Sequence, residues 1–407
     1  MVINMERTTE YEKQYDFDTP VNRRGTMSIK YDGAEKHGMP GDILSLWIAD
    51  MDFPSPPCIT EALRQRVEHG IFGYSEPDEA YERAVIGWFS RRHGWQPKAE
   101  WMVETPGVVI ALATALRAAS QPGDAVLIQP PVYYPFYDVI RDTGRRQVES
   151  PLIYRDGAYT IDFKEFERKA VQEKVKVFLL CSPHNPVGRV WTDTELKTLG
   201  EICLRHGITV VADEIHCDFV RDGYTHIPFL KACPQLAQQT ILCTAPSKTF
   251  NLAGLATSNI FIPGKALRAA FVQQLHTFGC YNPPNVMGLI ACRAAYEQGE
   301  EWHLQCLKYI NQNLNYVREF VGLFLPGVRL VEPEGTYFAW LDFSALGLTT
   351  EELNHRMIHE ANVWLDDGTI FGTGGAQLQR VSLSCTRATL AAAMEGMKKA
   401  FGAQTKS

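Results

Sequence analysis

Thr244-Ala-Pro-Ser-Lys-Thr-Phe250 is the stretch of sequence around which the chain is organised. It follows the apolar run Ile241-Leu-Cys243, so it is typical of a strand that ends in a turn carrying one lysine. A single lysine is most often a solvated surface charge, but here Pro246 stiffens the approach and no other charge stands nearby. A lysine held in such surroundings can have a lowered pKa and act as a nucleophile toward a carbonyl group. The stretch therefore predicts a reactive lysine at the end of a strand.

Length and composition are those of an ordinary globular protein. At 407 residues the chain exceeds one typical hydrophobic core, which favours two domains. The net charge of -7, without any long basic cluster, argues against a nucleic-acid partner. No apolar run reaches the roughly 18 residues that span a bilayer, and the first residues lack the apolar core of a secretory signal. We therefore expect a cytoplasmic protein with no membrane partner.

The cysteines give a second indication of the compartment. Ten cysteines are spread along the chain without the CxxC spacing of structural metal sites. Several lie inside apolar runs, among them Cys181, Cys203, Cys243 and Cys292. We expect reduced, mostly buried thiols in the cytosol and no bound metal.

Apolar strands alternate with helices in the middle of the chain. The predicted strands are 103–105, 125–129, 175–181, 208–212, 240–244 and 258–262, and the predicted helices are 59–68, 79–92, 108–119 and 192–206. Such alternation is typical of an α/β fold with a mainly parallel sheet covered on both faces. After about residue 290, longer helices stand beside fewer strands, which predicts a smaller α+β domain. We place the boundaries at 1–49 (a segment joining the small domain), 50–288 (the large domain) and 289–407 (the small domain).

Polar side chains follow two of the predicted strands. Asp213 closes the apolar run Ile208–Ala212, and Asn185 lies in the Pro-rich turn after the strand 175–181. Ligands of open parallel sheets bind beyond the carboxyl ends of the strands. Each residue has an ordinary alternative, since Asp213 could cap a turn and Asn185 could be a turn residue only.

Two further stretches could complete a binding site at that edge. Pro106-Gly107 enters a helix directly, so the backbone amides of Gly107, Val108 and Val109 form a potential anion site. Most helix starts, however, bind nothing. Tyr133 stands in an aromatic stretch, where it could stack on a ligand ring or serve only as core or interface.

Taken in chain order, these features resemble the class I/II aminotransferases and other fold-type I pyridoxal-phosphate (PLP) enzymes. The resemblance extends from Trp47 to Arg387, which is nearly the whole chain. It implies a large PLP-binding domain built on a seven-stranded, mainly parallel sheet, together with the smaller domain. It also implies a homodimer with active sites at the subunit interface.

The resemblance implies a role for each matching residue. Lys248 would hold PLP covalently and act as the catalytic base, and Asp213 would pair with the ring nitrogen. The other implied cofactor contacts are Asn185, His216, Tyr133, Gly107, Val108, Val109, Ser247 and, reaching the neighbouring subunit's phosphate, Tyr74. Arg387 would bind the substrate's α-carboxylate, with Asn185 and Ala49 as further substrate contacts. Tyr133 and Tyr74 are the candidate proton donors to a leaving group.

Finer motifs are similar to the MalY/PatB group of cystathionine and cysteine-S-conjugate β-lyases. The matching motifs are Trp47–Phe53, Phe72–Tyr74, Asp213–His216, Ala245–Phe250 and Gly368–Gly372. This implies α,β-elimination of L-cystathionine, L-cysteine or cysteine S-conjugates to a thiol or sulfide, pyruvate and ammonia.

Two positions depart from the wider aminotransferase pattern. His216 stands where aminotransferases usually have a tyrosine, and Ala245 lacks the hydroxyl that many relatives use to bind the phosphate. We expect Thr244 to supply that hydroxyl. Two alternatives to the lyase remain: an aminotransferase, and a regulatory or binding protein on the same scaffold.

Overall fold

A computed structural model describes residues 14–402. Its strands are β1 (Leu44–Ser45), β2 (Met102–Thr105), β3 (Ala125–Ile128), β4 (Arg146–Glu149), β5 (Ile153–Arg155), β6 (Ala158–Thr160), β7 (Val175–Cys181), β8 (Thr209–Asp213), β9 (Thr240–Thr244), β10 (Ser258–Phe261), β11 (Arg329–Val331), β12 (Phe338–Asp342), β13 (Val363–Trp364), β14 (Asp366–Asp367) and β15 (Leu378–Ser382). Its α-helices are α1 (Ile29–Asp32), α2 (Pro57–His69), α3 (Glu79–His93), α4 (Val108–Ala119), α5 (Pro135–Asp142), α6 (Phe163–Gln172), α7 (Asp193–His206), α8 (Phe229–Ala232), α9 (Pro246–Thr249), α10 (Lys265–Thr277), α11 (Val286–Gln298), α12 (Glu300–Phe324), α13 (Thr350–His359) and α14 (Arg387–Phe401).

Seven strands form the main sheet, in the order β2-β10-β9-β8-β7-β3-β4. β10 runs antiparallel to both of its neighbours, and the other neighbouring pairs are parallel. The predicted α/β class with a mainly parallel seven-stranded sheet is confirmed. The parallel strands all end at one edge, which gathers the segments that follow them.

Both faces of this sheet are buried, as continuous apolar strands predict. In β7, Val177 and Leu179 face the apolar cluster that contains α4, while Phe178 and Leu180 face the larger cluster on the other side. α4 itself was predicted with its observed bounds, and six of its twelve residues are buried.

One edge strand did not stand out in the sequence. β4 (Arg146–Glu149) pairs in parallel with β3, but only Val148 of its four residues is buried. An edge strand with one covered face lacks the continuous apolar run that marked the central strands.

The C-terminal part contains a second sheet, in the order β11-β12-β15-β14, which is antiparallel throughout. β1 pairs in parallel with β13 and so brings the N-terminal segment beside this part of the chain. The domain boundaries after residues 49 and 288 stay predictions.

Two smaller expectations concern local chemistry. Thr192, the first residue of the predicted helix 192–206, caps α7 and forms a capping box with Glu195, because each side chain accepts a hydrogen bond from the other residue's backbone N–H. Eight of the ten cysteines are buried, which confirms the prediction of mostly buried thiols. In residues 14–402, the helices lack the length and apolar character needed to cross a membrane.

Candidate active site

A cavity of about 270 Å³ lies at the carboxyl ends of the central strands. Ten of the twelve residues predicted for the site line it: Ala49, Gly107, Val108, Val109, Tyr133, Asn185, Asp213, His216, Ser247 and Lys248. They come from six separate stretches of the chain. The sheet gathers them because the segments after β7, β8 and β9 and the start of α4 meet at one edge.

Lys248 occupies the short helix α9 directly after β9. Its Nζ donates a hydrogen bond to the backbone oxygen of Ala49, at 2.7 Å. Burial, and next the positive charge of Arg380, lower the pKa of Lys248 to about 8, although the carboxylates of Asp50 and Asp213 oppose that change. A substantial fraction of this amine is therefore neutral near physiological pH, as a nucleophile or base requires.

Two anchors hold α9 in place. On one side, Thr249 Oγ1 donates to Asp218 Oδ2 at 2.6 Å, and the Trp88 indole N–H contacts both oxygens of the same carboxylate. His93 and Cys217 also lie near Asp218, at distances that could hold a metal ion. Because the Asp218 oxygens already accept several hydrogen bonds, we assign this carboxylate to anchoring α9. The expectation that the chain binds no metal stays a prediction.

The second anchor is Asn251, which follows α9 in a left-handed conformation with φ of 58°. Its Oδ1 accepts from Met51 N, and its Nδ2 donates to the backbone oxygens of Met51 and Phe53, each at 3.0 Å. These bonds hold residues 49–53 against the lysine.

Asp213 ends β8 and is 2% exposed. Burial raises its pKa to about 7; a hydrogen bond from Ile215 N and the charge of Lys248 act in the opposite direction. A cationic group placed beside this carboxylate would restore its ionised form. His216 is buried as well, and burial, followed by the charges of Lys248 and Arg380, lowers its pKa well below the ordinary value. The imidazole is therefore neutral.

The opposite end of the cavity is suited to an anion. α4 begins at Val108 after Gly107, whose φ of 113° is readily adopted only by glycine. The backbone N–H groups at this helix start have no helical partner and favour negative charge. The Ser247 side chain lines the same cavity.

Comparisons with known proteins give the family. The model of the family "Aminotransferase class I and II" matches residues 41–397. The chain belongs to this family. The predicted resemblance is thereby confirmed.

Three known proteins are similar to this chain over nearly its whole length. It is 44% identical over 386 residues to cystathionine beta-lyase PatB of Bacillus subtilis (strain 168), which covers 95% of this chain and 100% of PatB. It is 32% identical to protein MalY of Escherichia coli (strain K12), with 96% of this chain and 99% of MalY covered. The crystal structure of cystalysin from Treponema denticola, which contains a pyridoxal 5'-phosphate cofactor, superimposes with a TM-score of 0.92 at 37% identity and covers 95% of this chain and 99% of that one.

Arg387, the predicted carboxylate-binding arginine, does not line the cavity. It begins α14, where its Nε donates to Asn313 Oδ1 at 2.8 Å and its guanidinium lies over the Tyr316 ring. The prediction rested on a motif match, and it placed this arginine too close to the site because β15 ends at Ser382 and the turn that follows leads to the start of α14.

Another arginine, Arg380, which was not among the predicted site residues, contacts a residue that lines the cavity. Its Nη1 donates to Asn185 Oδ1 at 2.8 Å and its Nη2 to the backbone oxygen of Trp47 at 3.0 Å. The available signal was an arginine among the apolar residues Leu378, Val381 and Leu383, where a buried charge requires partners.

Two further predicted residues do not line the cavity of a single chain. Tyr74 is 95% exposed, and its predicted contact with the neighbouring subunit's phosphate stays a prediction. Thr244 does not replace the missing hydroxyl of position 245, because its Oγ1 is buried and donates to Asn259 O at 2.7 Å. Tyr337, another missed residue, donates its phenolic hydrogen to Ala49 O at 3.0 Å, beside the lysine.

Proposed function

We propose that this chain is a PLP-dependent carbon–sulfur β-lyase. Its substrates would be L-cystathionine, L-cysteine or cysteine S-conjugates, and its products a thiol or sulfide, pyruvate and ammonia. The observation that carries the proposal is one cavity containing Lys248, Asp213 and Asn185, in a chain 44% identical to a cystathionine beta-lyase.

The residues of the cavity fit PLP at three points. Lys248 offers an amine of lowered pKa for the aldehyde. Asp213 is a buried carboxylate that lacks a strong cationic partner, which suits a protonated ring nitrogen. The start of α4 with Ser247 suits the phosphate. Asn185 and Tyr133 would contact the ring, and the neutral His216 lines the same cavity.

When bound, PLP supplies an electron sink for the negative charge that develops at the substrate's Cα. Lys248 in its neutral form removes the Cα proton. Asp213 keeps a proton on the ring nitrogen by its negative charge. Arg380 binds the α-carboxylate, which orients the Cα–H bond toward Lys248 Nζ.

The departing sulfur requires a proton donor. Burial raises the pKa of Tyr133, so its phenol stays protonated at neutral pH and can donate. Tyr74 from a second copy of the chain is the other candidate. With one water consumed, L-cystathionine would give homocysteine, pyruvate and ammonia, which balances the atoms.

The proposal includes a homodimer. Tyr74 is almost fully exposed, and Ile71, Phe72 and Tyr281 are other large apolar residues exposed by more than half. Exposed apolar side chains of this kind favour burial against a partner. A second copy that covers this surface would bring Tyr74 to the neighbouring cavity.

Pyruvate release without a keto acid tests the activity. The PLP-loaded protein is given L-cystathionine alone, and we expect many equivalents of pyruvate per active site. An aminotransferase would instead convert one equivalent of L-cystathionine to its α-keto acid, would release no pyruvate, and would continue only when a keto acid is added. Lys248→Ala should abolish release, whereas the exposed control Lys164→Ala should keep it. A wild-type protein that binds no PLP, or releases no pyruvate, would refute the proposal.

A further inference from the structure

We propose that Asp366 is the positioning residue for Arg380: it fixes the guanidinium and balances its charge so that Arg380 can bind the substrate's α-carboxylate. This inference rests on the proposed function, because it assigns a partner to the arginine that would bind the amino-acid substrate.

The sheet places the two residues opposite each other. β14 and β15 are antiparallel, and Asp366 is the direct cross-strand partner of Arg380. Side chains of such a pair lie on the same face. The Asp366 carboxylate accepts a hydrogen bond from Arg380 Nη2, and the two side chains are only 5% and 2% exposed.

Other groups also contact the guanidinium of Arg380. Nη2 also bonds Trp47 O, and Nη1 bonds Asn185 Oδ1. The Phe338 ring lies 4.0 Å and the Phe371 ring 5.0 Å from Cζ. Among these contacts Asp366 is the charged one, so it determines most strongly how the guanidinium plane is turned. Arg380 Nε is buried and has no hydrogen-bond partner within the described residues.

The ion pair between Asp366 and Arg380 also changes the electrostatic environment of Lys248. A buried arginine without a counter-ion is costly, and burial together with the Arg380 charge lowers the pKa of Lys248. The other titratable groups that respond to Arg380 are His216, Tyr133, Tyr134, Tyr337 and Asp366 itself. Asp50 and Asp213 act on Lys248 in the opposite direction. Asp366 therefore limits how strongly Arg380 disfavours a positive charge on Lys248.

Two substitutions of Asp366 separate its effect on the position of the Arg380 guanidinium from its effect on the charge near Lys248. Asp366→Asn keeps an acceptor of the same shape and removes the charge, whereas Asp366→Ala removes both. Asp367→Asn is the matched control, because this neighbouring carboxylate lies opposite Gln379 and instead accepts from Thr369 N and Asn354 Nδ2. Each PLP-loaded variant is titrated with L-alanine and with ethylamine, which lacks the carboxylate, and binding is followed by the absorbance of the bound cofactor. Thermal unfolding checks that each variant is folded.

We expect Asp366→Ala to weaken L-alanine binding about tenfold or more, since a charge-assisted hydrogen bond fixes the arginine. Ethylamine binding should stay within about twofold, since no carboxylate is involved. For Asp366→Asn we expect the pH midpoint of the cofactor's absorbance to fall by about half a unit or more, because the uncompensated cation disfavours the protonated form. Asp367→Asn should match the wild type in all three measurements.

The inference is overturned if Asp366→Ala weakens both ligands equally, or if the Asp366→Asn midpoint equals that of the wild type. An Asp366→Ala protein that does not fold leaves the decision to the midpoint of Asp366→Asn. Because wild-type PLP binding and pyruvate release are measured separately, failure of this inference is distinguishable from failure of the lyase proposal.

Discussion

At the residue scale, Lys248 differs from an ordinary lysine through its surroundings. Its amine is enclosed by the backbone of Ala49, the start of α4 and the end of β8. Burial and a nearby arginine both disfavour its positive charge, so its pKa falls from the usual value of 10.5 to about 8. Burial likewise disfavours the negative charge of Asp213 and raises its pKa to about 7, although the charge of Lys248 opposes the change.

The lowered pKa predicts how PLP capture depends on pH. Only the neutral amine attacks an aldehyde, so the capture rate of the PLP-free protein should rise about tenfold per pH unit below the pKa. The rise should level off above about pH 8, where the amine is neutral. The measurement is the rate of absorbance change on mixing with PLP, and Lys248→Ala corrects for attack by other lysines. A rate that keeps rising toward pH 10 would indicate a solvated lysine and contradict the assignment.

At the element scale, the site depends on the segment 47–53 lying against α9. Asn251 connects the two through three hydrogen bonds to backbone groups. Arg23 and the buried Lys30 hold the same segment from the N-terminal side, through ion pairs with Asp50 and Asp52. The segment that contributes Ala49 to the cavity is therefore held both by Asn251 and by these ion pairs.

Removal of the Asn251 side chain tests this connection. Glycine is the suitable replacement because it accepts the left-handed conformation at this position. Three lost hydrogen bonds should lower the free energy of unfolding by about 2–4 kcal/mol. Urea unfolding measures the change, and the exposed Asn22→Gly, which loses one bond to Arg24 N, should cost less than about 1.5 kcal/mol. Equal midpoints for Asn251→Gly and the wild type would show that the segment is held by other contacts.

At the scale of the whole molecule, the exposure of Tyr74 is the feature that a single chain leaves unexplained. It was predicted as a cofactor contact, and in one chain it lies outside the cavity. A homodimer with shared sites, as proposed above, reconciles these facts. The cytoplasmic location stays a prediction.

Complementation between two inactive variants tests the shared site. Lys248→Ala and Tyr74→Ala subunits are co-expressed in equal amounts. If Tyr74 serves the partner's cavity, each mixed dimer contains one site with both native residues, and random pairing restores about 25% of wild-type activity. Each variant alone provides the baseline. Mixtures no more active than the mean of the two baselines would place Tyr74 outside the shared site, and sedimentation reports whether the dimer forms.

Whether a site residue could be predicted from the sequence depended on its place in a strand or helix. Lys248, Asp213, Asn185 and the start of α4 were predictable because each directly follows a strand or begins a helix. Strand ends of a parallel sheet converge by geometry, so their order along the chain already indicated one site.

The sequence by itself determined the pattern of buried strands and helices, because strands that are buried on both faces consist of continuous apolar runs. From that pattern it also determined the sheet edge at which the lysine lies. Only the tertiary structure showed that Arg380 contacts Asn185 of the cavity whereas Arg387 contacts Asn313, and only it placed Asp366 against Arg380 and Asn251 against Met51. These contacts depend on strand register and on backbone turns between segments distant in the chain. Neither composition nor local spacing encodes such distances, because they arise when the two parts of the molecule pack together.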